Sequence, residues 1–155
     1  MSIIQSSDAA VYPWMDIAVC ELGEHELAGF AANKRIAEYL RGIGANESDE
    51  TPWCSAFVNW VLKRAGYAVT GRANARSWMS YGEYVQYPRY GAIAVFWRES
   101  PTGSLGHVAF YLRTESEKIK VLGGNQSNAV CAALYPRSRL LGYRWPVRDS
   151  VVLAR

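Results

Sequence analysis

The stretch "TPWCSAFVNWVLKRAG" (residues 51–66) carries the strongest local pattern in this chain of 155 residues. It predicts an amphipathic helix with Thr51 as the N-cap and Pro52 at the first helical position, where its missing N–H costs nothing. Gly66 ends the helix. Cys54 falls in the first turn, where free backbone N–H groups and the helix dipole favour the reactive thiolate. A small packed core cysteine is the plainer alternative.

Helical patterns occupy the first half of the chain, and strand patterns occupy the second half. Further helices are predicted over residues 14–22, 33–42 and 73–82. After Pro88 the apolar runs become short and are separated by turn residues. The sequence therefore predicts an α+β domain in which N-terminal helices pack on an antiparallel sheet of about five strands. The predicted strands are residues 91–97, 107–112, 118–124, 128–135 and 140–145.

Composition narrows the class of protein. Half of the residues are apolar and 20% are charged, which predicts one globular domain over residues 1–155. The net charge of +3 is spread without a Lys/Arg block, so nucleic-acid binding is not expected.

The three cysteines, Cys20, Cys54 and Cys131, form neither a disulfide framework nor zinc-type spacing. Cys20 and Cys131 are interpreted as packing residues, and no metal or organic cofactor is expected.

The N-terminal sequence lacks the pattern of a secretory signal, and no apolar stretch reaches membrane-spanning length. We therefore expect a protein that is made in the cytoplasm, is not inserted into the membrane and needs another route if it acts outside.

His107 is the candidate partner of Cys54. It begins a predicted strand directly after a glycine. An imidazole at the mouth of a strand can reach the start of a helix packed on the sheet, take the thiol proton and later protonate a leaving amine. The other histidine, His25, lies between two glutamates and is interpreted as a surface residue. Ser55 and Ser77 have no second histidine to activate them, which argues against a serine hydrolase.

A third polar group should hold the imidazole of His107 in the required tautomer. The segment "GGNQSN" (residues 123–128) ends the next predicted strand, one hairpin after His107. Asn125 is the preferred orienting residue, and Gln126 is the alternative. The composition of the segment fits a plain turn equally well.

An ordered set of segments resembles the NlpC/P60-like group of small bacterial and phage cysteine hydrolases, which is close to CHAP domains. The segments are PWCSAFVNWVLKRAG, ARSW, GAIAVFWR, GHVAFYL, VLGGNQSNAV and LLGYRWP, and they span about residues 14–146. The resemblance implies a papain-like fold and cleavage of peptidoglycan amide bonds by a Cys–His–polar triad. By position, Cys54 would be the nucleophile, with its backbone N–H in the oxyanion hole. His107 would be the base and Asn125 the orienting residue.

One departure from this group concerns the substrate. Many of its enzymes have DCSGF at the nucleophile, where the aspartate helps to hold a free amine of the substrate, whereas this chain has WCSAF. Trp53 cannot make that charged contact, so specificity for the bond between D-glutamate and diaminopimelate does not follow. An amidase that cuts between the sugar and L-alanine, or a cross-bridge endopeptidase, stays open. Trp53 and Ser55 are the candidate substrate-binding residues, although Trp53 is equally well explained as core.

The expected function is a peptidoglycan amidohydrolase, an endopeptidase or amidase, in a lytic or antibacterial role as a phage or prophage endolysin or a secreted effector. Its expected partner is peptidoglycan, reached in the periplasm or cell wall through a phage or secretion apparatus. An effector would also need an immunity protein in the producing cell. Two alternatives stay open: a catalytically idle binding or assembly module of a phage or secretion particle, and a cysteine hydrolase or acyltransferase that acts on another amide.

Overall fold

A computed structural model describes residues 12–27, 33–45 and 52–149. Over these ranges, α-helices pack on a six-stranded antiparallel sheet, which confirms the predicted α+β class. The helices are α1 (Pro13–Cys20), α2 (Lys34–Gly42) and α3 (Cys54–Arg64). The strands are β1 (Glu83–Val85), β2 (Ile93–Trp97), β3 (Gly106–Glu115), β4 (Lys118–Gln126), β5 (Ala129–Pro136) and β6 (Leu140–Trp145).

The strands lie in the order β1-β6-β2-β3-β4-β5 across the sheet. Strands β2 to β5 form the predicted meander, whereas β6 returns along the chain and pairs with β2 on the side away from β3. The three-residue strand β1 pairs with β6 at the edge, and its mostly exposed side chains leave no apolar pattern that would predict it. Strand β3 has a neighbour on each side, and its first residues pair with β2.

Side chains alternate between the two faces of β3, as the sequence predicts. Val108 and Phe110 belong to the core shared with the helices. Ala109 and Tyr111 belong to a second buried cluster on the opposite face. His107 precedes Val108, so the alternation starts it on the face away from the helices.

Helix α3 is the most deeply buried helix, and its apolar face packs as predicted. The fully buried side chains on that face include Phe57, Val58, Val61 and Leu62. Its start differs from the prediction: Trp53, with φ −109° and ψ 19°, is the N-cap, and Cys54 is the first helical residue instead of the third. Pro52 precedes the helix, and Thr51 lies outside the described residues.

The other helical predictions hold in part. Asn33 is the N-cap of α2, and its Oδ1 accepts hydrogen bonds from the backbone N–H groups of Arg35 and Ile36. The predicted helix at residues 73–82 is a 3-10 helix over Ala75–Ser80. No helix in the described part of the chain is long and apolar enough to cross a membrane.

Candidate active site

Cys54 lies where the start of α3 meets the middle of the sheet. Its side chain is buried, with the residue 4% exposed. The backbone N–H groups of Val108 and Ser55 lie near enough to the sulfur to lower the pKa of the thiol. The paired residues of β3 and β4 end at Phe110 and Leu122, so the N–H of Val108 lies beyond the ladder and can point at the thiol.

Gly124 allows the first turn of α3 to come this close to the sheet. A Cβ at this position would lie 2.7 Å from Cζ3 of Trp53 and 2.8 Å from Cβ of Phe57. Real Cβ atoms do not approach other atoms so closely, so any side chain here would push the start of α3 away. The position of Cys54 therefore depends on a glycine in β4.

The imidazole of His107 is held in one tautomer by a relay of two hydrogen bonds. The side-chain amide nitrogen of Gln126 donates to the carbonyl oxygen of Cys131 at 2.6 Å. This contact turns the amide oxygen Oε1 of Gln126 toward His107, 2.9 Å from Nε2. Because Oε1 can only accept, Nε2 must carry the proton, and Nδ1 of the neutral ring keeps a free lone pair. The relay thus leaves Nδ1 as the basic atom.

His107 donates its Nε2–H to Gln126, the alternative, instead of to the preferred Asn125. In a regular strand, Asn125 would share the face of Gly123 and lie across from His107. The chain bulges after Gly123, with Asn125 in the left-handed region at φ 56°. The bulge shifts the alternation of side chains by one residue. The buried side chain of Gln126 therefore lies across from His107, where Asn125 was expected. Among the described residues, Asn125 makes no side-chain hydrogen bond to His107.

Gly123 makes room for the side chain of Gln126. A Cβ at this position would lie 2.7 Å from Oε1 of Gln126 and 2.7 Å from Cβ of Ala109. The two glycines of β4 therefore have different tasks. Gly123 leaves space for the side-chain amide of Gln126 on one face of the sheet, and Gly124 leaves space for the start of α3 on the other face.

Burial decides the charge state of the site. It raises the pKa of the Cys54 thiol, and hydrogen bonds from Val108 and Ser55 offset only part of that shift. Burial lowers the pKa of His107 to about 4, against the opposing effect of the hydrogen bond to Gln126. Both groups are therefore neutral at pH 7. The expected thiolate is wrong for this structure, because desolvation of the buried sulfur outweighs the nearby N–H groups.

Cys54 and His107 share their neighbours. Val108, whose N–H faces the sulfur, directly follows His107. The ring of Tyr135 stacks on the imidazole, with centroids 4.8 Å apart and planes at 20°. Burial raises the pKa of Tyr135 to about 12, and the proximity of Cys54 adds to that shift. After the effect of burial, the charge of Arg98 lowers the pKa of both Cys54 and His107. The structure thus brings the two predicted groups to the same end of β3.

The two candidate substrate-binding residues are buried and have structural partners. Trp53 is 2% exposed and donates its indole N–H to Glu26 at 2.7 Å. Ser55 donates its hydroxyl to the carbonyl oxygen of Arg72 at 2.7 Å and accepts the indole N–H of Trp78 at 2.9 Å. These contacts hold the start of α3 in place. The structure therefore corrects the assignment of Trp53 and Ser55 to a substrate groove.

Sequence reasoning missed three neighbours of the site. Cys131, taken as a packing residue, is half-buried and orients Gln126 through its carbonyl oxygen. Tyr135 lies on the same face of β5 as Cys131, a relation that period-2 spacing could have indicated. Arg98 follows β2 and ends the segment GAIAVFWR, but nothing in the sequence connected its charge with the site. Cys20, also taken as a packing residue, is exposed.

The remaining histidine does not form a metal site with described residues. His25 is exposed, as predicted, and its Nδ1 lies 3.0 Å from the carbonyl oxygen of Gly23. No three His, Cys, Asp or Glu side chains within residues 12–27, 33–45 and 52–149 are grouped so that they could hold a metal ion.

Comparison with known proteins places the chain in a family. Residues 46–125, about half of the sequence, match the model of the CHAP domain. The chain belongs to the CHAP-domain family. This match confirms the resemblance seen in the ordered segments and includes Cys54, His107 and Asn125, while Gln126 lies one residue beyond it. CHAP and NlpC/P60 domains are in general cysteine peptidases or amidases related to peptidoglycan.

A solved structure supports the same fold for this CHAP domain. It is that of a protein described as similar to a lipoprotein of the NLP/P60 family, from Staphylococcus aureus subsp. aureus Mu50. The two share a TM-score of 0.51 at 19% sequence identity, over 92% of this chain and 43% of that chain. The CHAP domain thus spans less than half of that protein's length. No curated protein matches the sequence.

Proposed function

We propose that this CHAP domain is a peptidoglycan amidohydrolase, an endopeptidase or amidase, with Cys54 as nucleophile, His107 as base and Gln126 as orienting residue. The observation that carries the proposal is the relay from Cys131 through Gln126 to His107, because it leaves Nδ1 of a neutral imidazole free to accept a proton.

The reaction begins from the neutral pair. As Cys54 attacks the amide carbonyl, its proton moves to Nδ1 of His107, and a tetrahedral intermediate forms. The imidazolium is stabilised by its Nε2–H bond to Gln126. The backbone N–H of Cys54, at the open start of α3, is placed to stabilise the oxyanion. His107 then returns the proton to the leaving amine, and water activated by His107 hydrolyses the thioester.

The proposed setting is lytic or antibacterial, as a phage or prophage endolysin or a secreted effector. Peptidoglycan is the proposed partner in the periplasm or cell wall, and an effector would also have an immunity protein. Delivery through a phage or secretion apparatus is part of the same proposal. These biological roles rest on the proposed chemistry and on the family.

Purified peptidoglycan tests the proposal directly. Wild-type protein and Cys54→Ala would be incubated with peptidoglycan sacs, and the soluble products identified by mass spectrometry. We expect new amine-bearing fragments with the wild type only, and their masses name the cleaved bond. Products that are equally abundant with Cys54→Ala would contradict the assignment of the nucleophile.

The burial of the site favours one competing function, an idle binding or assembly module. Cys54 is 4% exposed and His107 is 9% exposed, so substrate must reach groups with little free surface. The same experiment separates the two functions. Equal retention of wild type and Cys54→Ala on the sacs, with no soluble product from either, would favour the binding module.

A further inference from the structure

Arg98 lies beside the reacting groups on the face of the sheet that carries His107. The pairing of β2 with β3 joins Phe96 to His107 and Trp97 to Gly106. The register continues one residue further, because the N–H of Arg98 donates to the carbonyl oxygen of Leu105 at 3.1 Å. Arg98 therefore shares the face of Phe96 and is a diagonal neighbour of His107, with a typical separation of about 7–8 Å.

The turn that follows Arg98 is braced by another arginine. Arg76 donates to the carbonyl oxygens of Leu105, Pro101 and Ser100 at 2.9, 3.0 and 2.6 Å. These three bonds tie both sides of the turn to the 3-10 helix that contains Arg76. The backbone of Arg98 is thus held in a defined position, which reduces the entropy lost when its side chain binds a ligand.

The charge of Arg98 is available to a ligand. Its side chain is exposed, and no ion pair of Arg98 is found among the described residues. Arg113 differs, since it pairs with Glu115 at 2.7 Å. Arg98 is also near enough to Cys54 and His107 for its charge to affect both groups. A planar guanidinium with several donors matches a carboxylate, which it can bind through two parallel hydrogen bonds.

We propose that Arg98 binds a carboxylate of the substrate peptide adjacent to the scissile amide and thereby selects substrates with a free acid at that position. The inference rests on the proposed function and adds the substrate specificity of that function. One extended residue spans about 3.3–3.6 Å, so a carboxylate one or two residues from the attacked carbonyl lies within the reach of a long arginine side chain that starts diagonally from His107.

Two synthetic stem peptides test the proposal. They differ only in whether D-glutamate has a free α-carboxylate or a carboxamide. We expect the wild type to cleave the acid with a kcat/KM about 10-fold or more above that of the amide, as for hydrogen bonds to charged groups. Arg98→Gln should reduce this ratio to about 1, because cleavage of the acid falls more than cleavage of the amide. Arg113→Gln is the matched control and should keep the wild-type ratio.

Binding to an inactive variant separates this inference from the proposed function. Kd values for both peptides would be measured by calorimetry with Cys54→Ala and with Cys54→Ala/Arg98→Gln. Tighter binding of the acid that disappears with Arg98→Gln supports the role of Arg98, even if the wild type cleaves neither peptide and the proposed hydrolysis fails. Equal affinities for acid and amide in Cys54→Ala, or equal losses on both peptides from Arg98→Gln, would overturn the inference.

Discussion

The orientation of one side-chain amide determines which nitrogen of His107 can act as a base. Gln126 has a donor end and an acceptor end, and the carbonyl oxygen of Cys131 takes the donor end. Only the acceptor end is left for Nε2 of His107. A backbone carbonyl two hydrogen bonds away thus sets the proton position on the imidazole, and Cys131 takes part through its main chain.

Replacing Gln126 by Ala should lower kcat by about 10²-fold on peptidoglycan, because the imidazole loses the group that fixes its tautomer. The measurement is initial rate against substrate concentration, with circular dichroism to check the fold. Asn125→Gly, which keeps the left-handed backbone available, is the matched control and should stay near wild type. A larger loss from Asn125→Gly than from Gln126→Ala would return the orienting role to Asn125.

The raised pKa of Cys54 predicts slow alkylation in the resting protein. At pH 7, iodoacetamide should label the exposed Cys20 before the buried Cys54. Labelling of Cys54 should accelerate only as the pH rises past the range of an ordinary thiol, about 8.5. Peptide mapping by mass spectrometry at several pH values measures both rates. If Cys54 were labelled first at pH 7, a thiolate–imidazolium pair would exist before substrate binds.

At the scale of elements, the end of β4 joins helix and sheet. Its two adjacent glycines have side-chain neighbours on opposite faces: Trp53 and Phe57 above Gly124, and Gln126 below Gly123. The bulge at Asn125 then brings the chain back into register with β5. A single strand end therefore positions both the helix that carries Cys54, the proposed nucleophile, and the amide of Gln126 that contacts His107, the proposed base.

Gly124→Ala should destabilise the fold by about 1–3 kcal/mol, because the new methyl group overlaps Trp53 and Phe57. Urea unfolding followed by tryptophan fluorescence measures the change. Gly103→Ala is the control: its Cβ would meet nothing closer than 3.5 Å, and we expect a change within about 0.5 kcal/mol. Equal unfolding midpoints for the two variants would show that α3 can shift without cost.

At the scale of the whole molecule, the site is coupled to stability because it is built into the core. His107 lies between strands of a six-stranded sheet, under the ring of Tyr135, and is neutral there. An unfolded chain would expose the same imidazole to water, where its ordinary pKa is about 6.5. In mildly acidic solution, folding therefore requires His107 to release the proton that it carries in the unfolded chain.

The stability of the protein should fall as the pH is lowered from 7 to 5. Since the pKa of His107 is lowered to about 4 in the folded state, the unfolded state binds the proton first. The stabilisation present above pH 6.5 is lost as the pH falls toward 4, by about 2 kcal/mol at pH 5. Urea unfolding at each pH measures this slope.

Two histidine variants test whether His107 causes this dependence of stability on pH. His107→Gln should flatten the dependence between pH 7 and pH 5, whereas His25→Gln, at an exposed position, should leave it unchanged. An unchanged slope in His107→Gln would show that other groups cause the acid sensitivity.

Much of this architecture could be predicted from local patterns. The helical face of α3 and the alternation along β3 depend on neighbours close in sequence, so apolar spacing was enough to predict both. Strand β1 could not be predicted, because its pairing with β6 comes from distant residues and its own side chains are mostly exposed. The first turn of α3 also differed, since the backbone of Trp53 is not helical.

The sequence by itself determined the α+β class, the amphipathic helix that contains Cys54, the strand that starts near His107 and the CHAP-type order of its segments. Tertiary structure decided that Gln126 contacts His107, that Trp53 and Ser55 are buried, and that the thiol is neutral. The physical reason is that spacing follows from the local geometry of helices and strands. A bulge, a close approach at a glycine and the loss of hydration all depend on atoms that only the folded chain brings together.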